Sequence, residues 1–304
     1  TYAPYYYSLD GYAALGAVSG TKGNTFPVKY SSDGKHITWT YEGALELYLM
    51  PAESLAEGTR AYYELIGPPA VPPRYAFGFI ASRWGWKDRG YVEWTLNKFR
   101  SDGYPIDAFI TDFEWFTNES DYSFPPEGKS WYHDFQFAPV VFPEPQAQLA
   151  SYRQNLHMRM GGIRKPRLGN TGLLQMAKSK GWILPLAEPG GTYPPQMNKS
   201  YAHERNLNFT NPAVREWYAQ QIGPLLDAGV QFWWNDEGEA EYFTFHYWNV
   251  AQSDALRSRG GDQRFYSLNR AWSPGMARLG ATVWTGDISA SWEDLRGIPG
   301  MARL

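Results

Sequence analysis

Residues 229–241 read Gly-Val-Gln-Phe-Trp-Trp-Asn-Asp-Glu-Gly-Glu-Ala-Glu, an apolar run that passes directly into an acidic cluster. The valine, phenylalanine and tryptophans between Val230 and Trp234 favour a strand buried on both faces, and Gly229 marks the turn into it. Asp236 is therefore expected where a buried strand leaves the core. In a barrel of parallel strands this end of each strand carries the chemistry, so the stretch predicts an α/β fold with a functional carboxylate at Asp236.

Two other predicted strands also end in carboxylates beside aromatic residues. Asp107–Thr111 is followed directly by Asp112, and Ala281–Trp284 is followed by Thr-Gly and then Asp287. The chain between Asp236 and Asp287 has room for two βα units, which places these two acids on alternate strands of one barrel. The pattern predicts that both side chains face the same opening.

Predicted strands alternate with helical segments across residues 74–304. The strands are expected at residues 75–80, 107–111, 182–186, 230–234, 265–268 and 281–284. About six such βα units indicate an α/β fold, namely an incomplete (β/α)8 TIM-type barrel. Residues 117–170 show no clean periodicity, and a segment of that length inside a barrel is typical of a functional insertion near the active-site face.

Residues 1–73 follow a different pattern from the barrel. Alternating side chains in Lys35–Tyr41 and Leu45–Leu49 predict antiparallel strands, and a helix is expected from Glu53 to Leu65. The proline-rich segment Gly67–Pro73 is a stiff linker. This part of the chain is therefore expected to be the end of a preceding domain.

Composition excludes several classes of function. The 304 residues carry a net charge of -3, which implies no basic surface for nucleic acid, and no apolar run is long enough to span a membrane. The absence of cysteine excludes disulfides, cysteine-ligated zinc and thiol catalysis. The 14 tryptophans and 22 tyrosines suit the faces and hydroxyls of sugars, although an aromatic-rich core would explain them too.

Two motifs in a fixed order carry a family resemblance. A Trp-x-Asp motif at residues 234–236 is followed by glutamates, and a Trp-Thr-Gly-Asp motif occupies residues 284–287. In this order they resemble glycoside hydrolase family 31, the α-glucosidase family, and the resemblance covers nearly the whole chain. It implies a retaining α-glycosidase that hydrolyses α-glucosidic bonds of an oligosaccharide, with Asp236 as nucleophile and Asp287 as acid/base residue.

The resemblance also assigns roles outside the catalytic pair. It implies that residues 1–73 are the end of an N-terminal β-sandwich, since Tyr62–Pro69 is similar to the family's sequence before the barrel. We expect no cofactor and no metal ion. The implied substrate-binding residues are Asp112, Trp234, Arg270 and Trp284.

Retaining hydrolysis requires one ionised and one protonated carboxyl group in the same site. We expect Arg270 to keep Asp236 ionised, and burial against Trp284 to keep Asp287 protonated. The two carboxyl groups should then lie roughly 5–5.5 Å apart, whereas roughly 6.5–9.5 Å would indicate an inverting enzyme.

Two departures from the family pattern leave alternatives open. Glu237 stands where the family usually has methionine or phenylalanine, and the chain ends after the sixth predicted strand, as a fragment or a shortened member would. The alternatives are an α-glucosyltransferase of the same family, a sugar-binding protein that has lost turnover, and a metal-dependent hydrolase that uses Asp236, Glu237 and Glu239. The sequence specifies neither the compartment nor the oligomeric state.

Overall fold

The structure is a computed structural model that describes residues 5–18, 28–39, 45–116, 133–184, 205–237, 242–260 and 263–301. Within these ranges no helix combines the length and apolar character needed to cross a membrane. Two parts are described, an antiparallel N-terminal part and a parallel sheet with helices.

Six parallel strands form the central sheet in the order in which they occur along the chain. Consecutive strands pair side by side, and every pairing is parallel. This is the partial (β/α)8 barrel that the sequence predicts. The six strands are β6 Ile80–Arg83, β7 Ala108–Thr111, β8 Arg159–Arg164, β9 Val230–Asn235, β10 Ser267–Asn269 and β11 Ala281–Val283.

Helices connect these strands and begin at recognisable capping residues. The side chains of Asp88, Asn170 and Asn211 each accept a hydrogen bond from a backbone N–H in the first turn of a helix. Asn211 caps the helix that has Pro212 at its first position, and Asn170 caps the helix that begins at Thr171. The helices that follow barrel strands are α2 Arg89–Ser101, α3 Pro145–Asn155, α4 Thr171–Ser179, α5 Pro212–Ala228, α6 Tyr242–Arg257 and α7 Trp292–Met301.

The third barrel strand, β8, lies inside the segment expected to be an insertion. Residues 117–170 contain both α3 and β8, so at least this part of the segment belongs to the barrel. The strand reads Arg-Met-Gly-Gly-Ile-Arg, and a Cβ atom at Gly161 or Gly162 would collide with the ring of Phe232 or Trp115. The glycines let these large rings pack directly on the strand, and they also conceal its β character in the sequence.

Two predicted barrel strands require correction. Of the described residues 182–184, only Ile183 makes a β-bridge, to Leu207, and all three lie outside the six-stranded sheet. Pro185 and Leu186 are outside the described residues. The first strand begins at Ile80 instead of residue 75, because Arg74–Phe77 forms a turn of 3-10 helix. Within the described part of the chain the sheet has the predicted six strands, and β8 is one of them although it was not predicted.

The N-terminal part consists of antiparallel strands and one helix, α1 Leu55–Ile66. A three-stranded sheet has the order β1-β2-β5, and β3 pairs with β4. Its small core includes Ala13, Leu15, Met50 and Tyr62. The antiparallel strands agree with the sequence pattern; that they end a β-sandwich domain stays a prediction. The strands are β1 Tyr5–Ser8, β2 Tyr12–Val18, β3 Val28–Tyr30, β4 Ile37–Trp39 and β5 Leu45–Pro51.

Candidate active site

Four of the predicted site residues follow the carboxyl ends of four barrel strands. Asp112 follows β7, Asp236 follows β9, Arg270 follows β10 and Asp287 lies four residues beyond β11. Asp236 and Asp287 are thus on alternate strands, as the spacing predicts. The parallel sheet brings these side chains to one end of the barrel, which is where TIM-barrel enzymes place their active sites.

Asp236 is a buried carboxylate held by two cations. Its Oδ2 accepts a hydrogen bond from the ammonium of Lys165, and its Oδ1 lies 3.3 Å from Nη1 of Arg270. Its backbone N–H donates to the carbonyl of Arg164 at 3.0 Å, so the pairing of β8 and β9 continues to this residue. The predicted contact from Arg270 is therefore present, and Lys165 adds a second cation.

Glu237 shares these cations with Asp236. Its Oε1 lies 3.0 Å from the ammonium of Lys165, and its carboxylate also forms an ion pair with the guanidinium of Arg167. Lys165 and Arg167 follow β8, the strand that the sequence pattern conceals, and so they were absent from the predicted site. The basic run Arg-Lys-Pro-Arg at residues 164–167 is the signal that, once β8 is recognised, points to them.

Asp287 also lies near the guanidinium of Arg270. Its Oδ2 lies 3.9 Å from Nη1 of Arg270, so the nearest oxygens of Asp236 and Asp287 are at most 7.2 Å apart, the sum of the two distances. This bound includes the separation expected for a retaining enzyme and also the lower end of the range for an inverting enzyme, so retention stays a prediction. The expected burial against Trp284 is wrong, since the Asp287 side chain is 84% exposed.

Trp234 and Trp284 form an aromatic pair next to these acids. Their ring centroids are 5.8 Å apart, and the rings meet edge to face. Trp234 lies two residues before Asp236, and alternate residues of a strand project to the same face. The indole N–H of Trp234 is buried without a hydrogen-bond partner among the described residues, which leaves one donor unused.

Asp112 is a buried carboxyl whose protonation is set by its surroundings. Burial raises the pKa of Asp112 to about 7, and the negative charges of Glu114 and Asp236 act in the same direction. The backbone N–H of Phe113, which donates to its Oδ1 at 2.8 Å, and the charge of Lys165 oppose this shift. At neutral pH this side chain is therefore divided between its neutral and ionised forms.

A buried network of amide side chains lies beneath the acidic residues. Asn235 donates to Gln252 at 2.7 Å and to Asn269 at 3.0 Å, and Gln252 donates back to Asn235 at 2.8 Å. Asn249 donates to Asn269 at 2.8 Å. The network joins the ends of β9 and β10 to α6, and it fixes the strand ends that carry Asp236 and Arg270.

Residues 69–303 match the family model described as the glycosyl hydrolases family 31 TIM-barrel domain. This chain belongs to glycoside hydrolase family 31. The match spans the whole described barrel, from the residues before β6 to the end of α7. The family resemblance inferred from the two short motifs is therefore confirmed.

Relatives of this family 31 chain are longer proteins. Neutral alpha-glucosidase AB of Homo sapiens is 28% identical over 305 residues, which cover 86% of this chain and 29% of the relative. The 1,6-alpha-glucosyltransferase of Sporosarcina globispora is 26% identical, with 75% of this chain and 18% of the relative covered. The chain thus spans less than a third of the length of either relative.

The fold is shared with solved family 31 structures. The dextranase of Flavobacterium johnsoniae complexed with glucose superposes with a TM-score of 0.76 at 18% identity. The superposition covers 96% of this chain and 38% of the dextranase. At this identity the likeness concerns the fold, and both the six-stranded sheet and the parts before it take part in it.

Among the described residues of this family 31 chain, no group of three or more histidine, aspartate or glutamate side chains could hold a metal ion. A metal-dependent hydrolase was one alternative, with Asp236, Glu237 and Glu239 as ligands. Asp236 and Glu237 are ion-paired with basic side chains instead, and Glu239 lies outside the described residues. The described geometry therefore gives this alternative no support.

The raised pKa of Asp112 predicts a pH-dependent contribution to stability. A carboxyl whose folded-state pKa is raised to about 7 stabilises the fold fully below its ordinary pKa, and this contribution is lost as the pH rises through 7. Relative to Asp112→Asn, the free energy of unfolding of the unaltered protein should fall by about 2–4 kcal/mol between pH 4 and pH 8. Denaturant titrations at a series of pH values measure this difference.

The control for this experiment is an exposed aspartate with the opposite pKa shift. A hydrogen bond from Lys98 lowers the pKa of Asp102. The free energy of unfolding of the unaltered protein, taken relative to Asp102→Asn, should therefore not fall between pH 4 and pH 8. A difference between the unaltered protein and Asp112→Asn that stays constant from pH 4 to pH 8 would show that Asp112 titrates as an ordinary carboxyl.

Proposed function

We propose that the protein is a retaining α-glycosidase that hydrolyses α-glucosidic bonds of oligosaccharides. One observation carries the proposal: Asp236 and Asp287, on alternate strands, both approach Nη1 of Arg270 at the carboxyl end of the barrel. Asp236 is buried among cations, and Asp287 lies at the solvent-exposed side of the site, where a bound substrate can cover it.

In the first step Asp236 acts as the nucleophile. Its ionised carboxylate, paired with Lys165 and Arg270, attacks the anomeric carbon of the sugar. The glycosidic C–O bond breaks, its electron pair passes to the departing oxygen, and that oxygen takes the proton of Asp287. The products of this step are a glycosyl ester on Asp236 and a free aglycone.

In the second step water replaces the ester. Asp287, now ionised, removes a proton from the incoming water, and the water oxygen bonds to the anomeric carbon. The ester C–O bond breaks and returns its electron pair to Asp236. Two displacements on opposite faces restore the α-configuration. Because Asp287 is exposed in the free protein, we expect bound substrate to exclude water from it and favour its protonated form.

The sugar would be held by groups that surround the acids. Ionised Asp112 would accept hydrogen bonds from sugar hydroxyls, and the unused N–H of Trp234 would donate one. The Trp234–Trp284 pair would form part of the apolar wall of the subsite. The names of the relatives, alpha-glucosidase and dextranase, support an α-linked glucoside as the substrate.

Transfer of the glycosyl group is the second candidate function. It uses the same ester, but a sugar hydroxyl takes the place of water in the second step. The similarity to a 1,6-alpha-glucosyltransferase favours it as an alternative. A sugar-binding protein without turnover is the third possibility, and it would bind an oligosaccharide without consuming it.

A panel of nitrophenyl α-glycosides distinguishes these functions. We expect release of nitrophenol from the α-glucoside, no release by Asp236→Ala, and initial formation of the α-anomer of the free sugar by NMR. Formation of longer oligosaccharides at high substrate concentration would indicate the transferase. Binding of the sugar by calorimetry without any nitrophenol release would overturn both enzymatic functions.

A further inference from the structure

Two consecutive carboxylates, those of Asp236 and Glu237, contact one ammonium group. The Lys165 side chain donates to Oδ2 of Asp236 and lies 3.0 Å from Oε1 of Glu237. Neighbouring residues of an extended strand project to opposite faces. Glu237 instead adopts the left-handed conformation with φ of 63°, which is uncommon for a residue other than glycine and lets its carboxylate turn back toward Lys165.

The ammonium of Lys165 depends on these carboxylates because it is almost fully buried. Its side chain is 6% exposed, and its Nζ lies 4.9 Å from the centre of the Phe113 ring. Burial of this kind lowers the pKa of Lys165, whereas Asp236 favours the charged form. A buried ammonium without a carboxylate partner is strongly disfavoured.

The segment that carries Lys165 is held in place by its neighbours. The carbonyl of Pro166 accepts a hydrogen bond from the N–H of Leu207 at 2.9 Å. The N–H of Leu168 donates a hydrogen bond to the backbone carbonyl of Arg205 at 3.1 Å. Arg167 forms the ion pair with Glu237. The backbone on either side of Lys165 is therefore hydrogen-bonded to residues 205–207, and Glu237 is tied to the same segment through Arg167.

Under the proposed function, the first step removes one of the two negative charges beside Lys165. When Asp236 becomes a glycosyl ester it is neutral, and Arg270 can then turn to Asp287 and solvent because it is 37% exposed. Lys165 has no such exposure. Asp112 also acts on Lys165 electrostatically, but the two ion pairs of this ammonium are with Asp236 and Glu237.

We propose that Glu237 is a positioning residue that keeps the charge of Lys165 compensated while Asp236 is esterified. This role rests on the proposed function, since it requires a covalent ester on Asp236. Arg167 orients Glu237 for the task, and the left-handed backbone places its carboxylate on the same ammonium as the nucleophile. In this role an acid at position 237 is compatible with the adjacent nucleophile.

The rate of ester formation tests the proposal directly. The protein is treated with 5-fluoro-α-glucosyl fluoride, a reagent that accumulates as an ester on a nucleophilic carboxylate, and labelling of Asp236 is followed by mass spectrometry. We expect Glu237→Gln to slow labelling by about tenfold to a hundredfold, because the ester would leave a buried cation unpaired. The hydrolysis rate of the ester once formed should not decrease, since hydrolysis restores the partner of Lys165.

The same substitution made in a Lys165→Met variant separates this role from a general disturbance of the fold. In Lys165→Met the buried cation is absent, so adding Glu237→Gln should slow labelling by less than about threefold. Glu144→Gln is the matched control, because Glu144 pairs with Arg89 at the surface and should have no effect. If Glu237→Gln unfolds the protein, Glu237→Asn takes its place, because asparagine tolerates positive φ.

The possible outcomes separate the two proposals. If the unaltered protein is labelled and Glu237→Gln is labelled as quickly, the role of Glu237 is overturned while the retaining mechanism stands. Equal slowing in both backgrounds, or slowing of both ester formation and ester hydrolysis, would also overturn it. If the unaltered protein is never labelled, the proposed function fails, and the role of Glu237 fails with it.

Discussion

Asp236→Ala is expected to lower turnover of an α-glucoside by about 10⁴-fold or more, the range typical of a lost nucleophile. The loss should appear in kcat, because Asp236 forms a bond only as the reaction proceeds and the other sugar contacts remain. Measurement of kcat and KM for a nitrophenyl α-glucoside, with unfolding followed by circular dichroism, checks both points.

The cations around Asp236 provide a sharper form of this test. Removal of its carboxylate leaves Lys165 and Arg270 facing an empty, positively charged space that suits a small anion. Azide should therefore restore part of the activity of Asp236→Ala with an activated substrate. Because azide would attack from the side that the nucleophile occupied, the product should be the β-glycosyl azide, which NMR identifies.

The matched control is an aspartate in an ion pair remote from the site. Asp227 pairs with Arg259 and is 57% exposed, so Asp227→Ala should retain full activity and respond to azide no differently from the unaltered protein. If Asp236→Ala kept more than about a tenth of the activity, Asp236 could not be the nucleophile.

The positions of the acids could be predicted from the sequence because each follows a strand with a clear pattern. Val230–Asn235 is rich in residues that favour a buried strand, and it passes directly into Asp236. In this strand the preference of the residues for a buried strand agrees with the position that the strand takes in the folded protein. The same agreement holds at β7, whose four residues are all buried and which precedes Asp112.

The basic half of the site could not be predicted, because β8 has no such pattern. Its glycine pair accommodates rings from Trp115 and Phe232, which are distant in sequence, and Arg164 at its end is buried. These properties exist only once the strands are assembled. Lys165 and Arg167 follow this strand, so a missed strand removed both from the predicted site.

The exposure of Asp287 was predicted wrongly for a related reason. Trp284 is close to Asp287 in sequence, but its ring packs edge to face with Trp234 on a strand two places away in the sheet. Sequence proximity does not determine which way a side chain turns in a loop. The acid is left at the open side of the site, where a substrate can cover it.

Asp287→Ala is expected to lower activity by an amount that depends on the leaving group. A poor leaving group, such as a sugar hydroxyl, needs the proton of Asp287, and its release should slow by about 10²- to 10⁴-fold, the usual contribution of a general acid. Dinitrophenolate leaves without protonation, so ester formation from a dinitrophenyl α-glucoside should change little. Comparison of kcat/KM for the two substrates measures the difference.

The stereochemistry of azide rescue then distinguishes the two aspartates from each other. In Asp287→Ala the ester on Asp236 still forms, and its hydrolysis is slow because no base activates water. Azide needs no base, so it should replace water and give the α-glycosyl azide, opposite in configuration to the product from Asp236→Ala.

The control is Glu293→Ala, which should behave like the unaltered protein. Glu293 is exposed on the first turn of α7 and is close to Asp287 in sequence. A β-azide from Asp287→Ala, or an equal loss with both leaving groups, would assign the acid/base role to another residue.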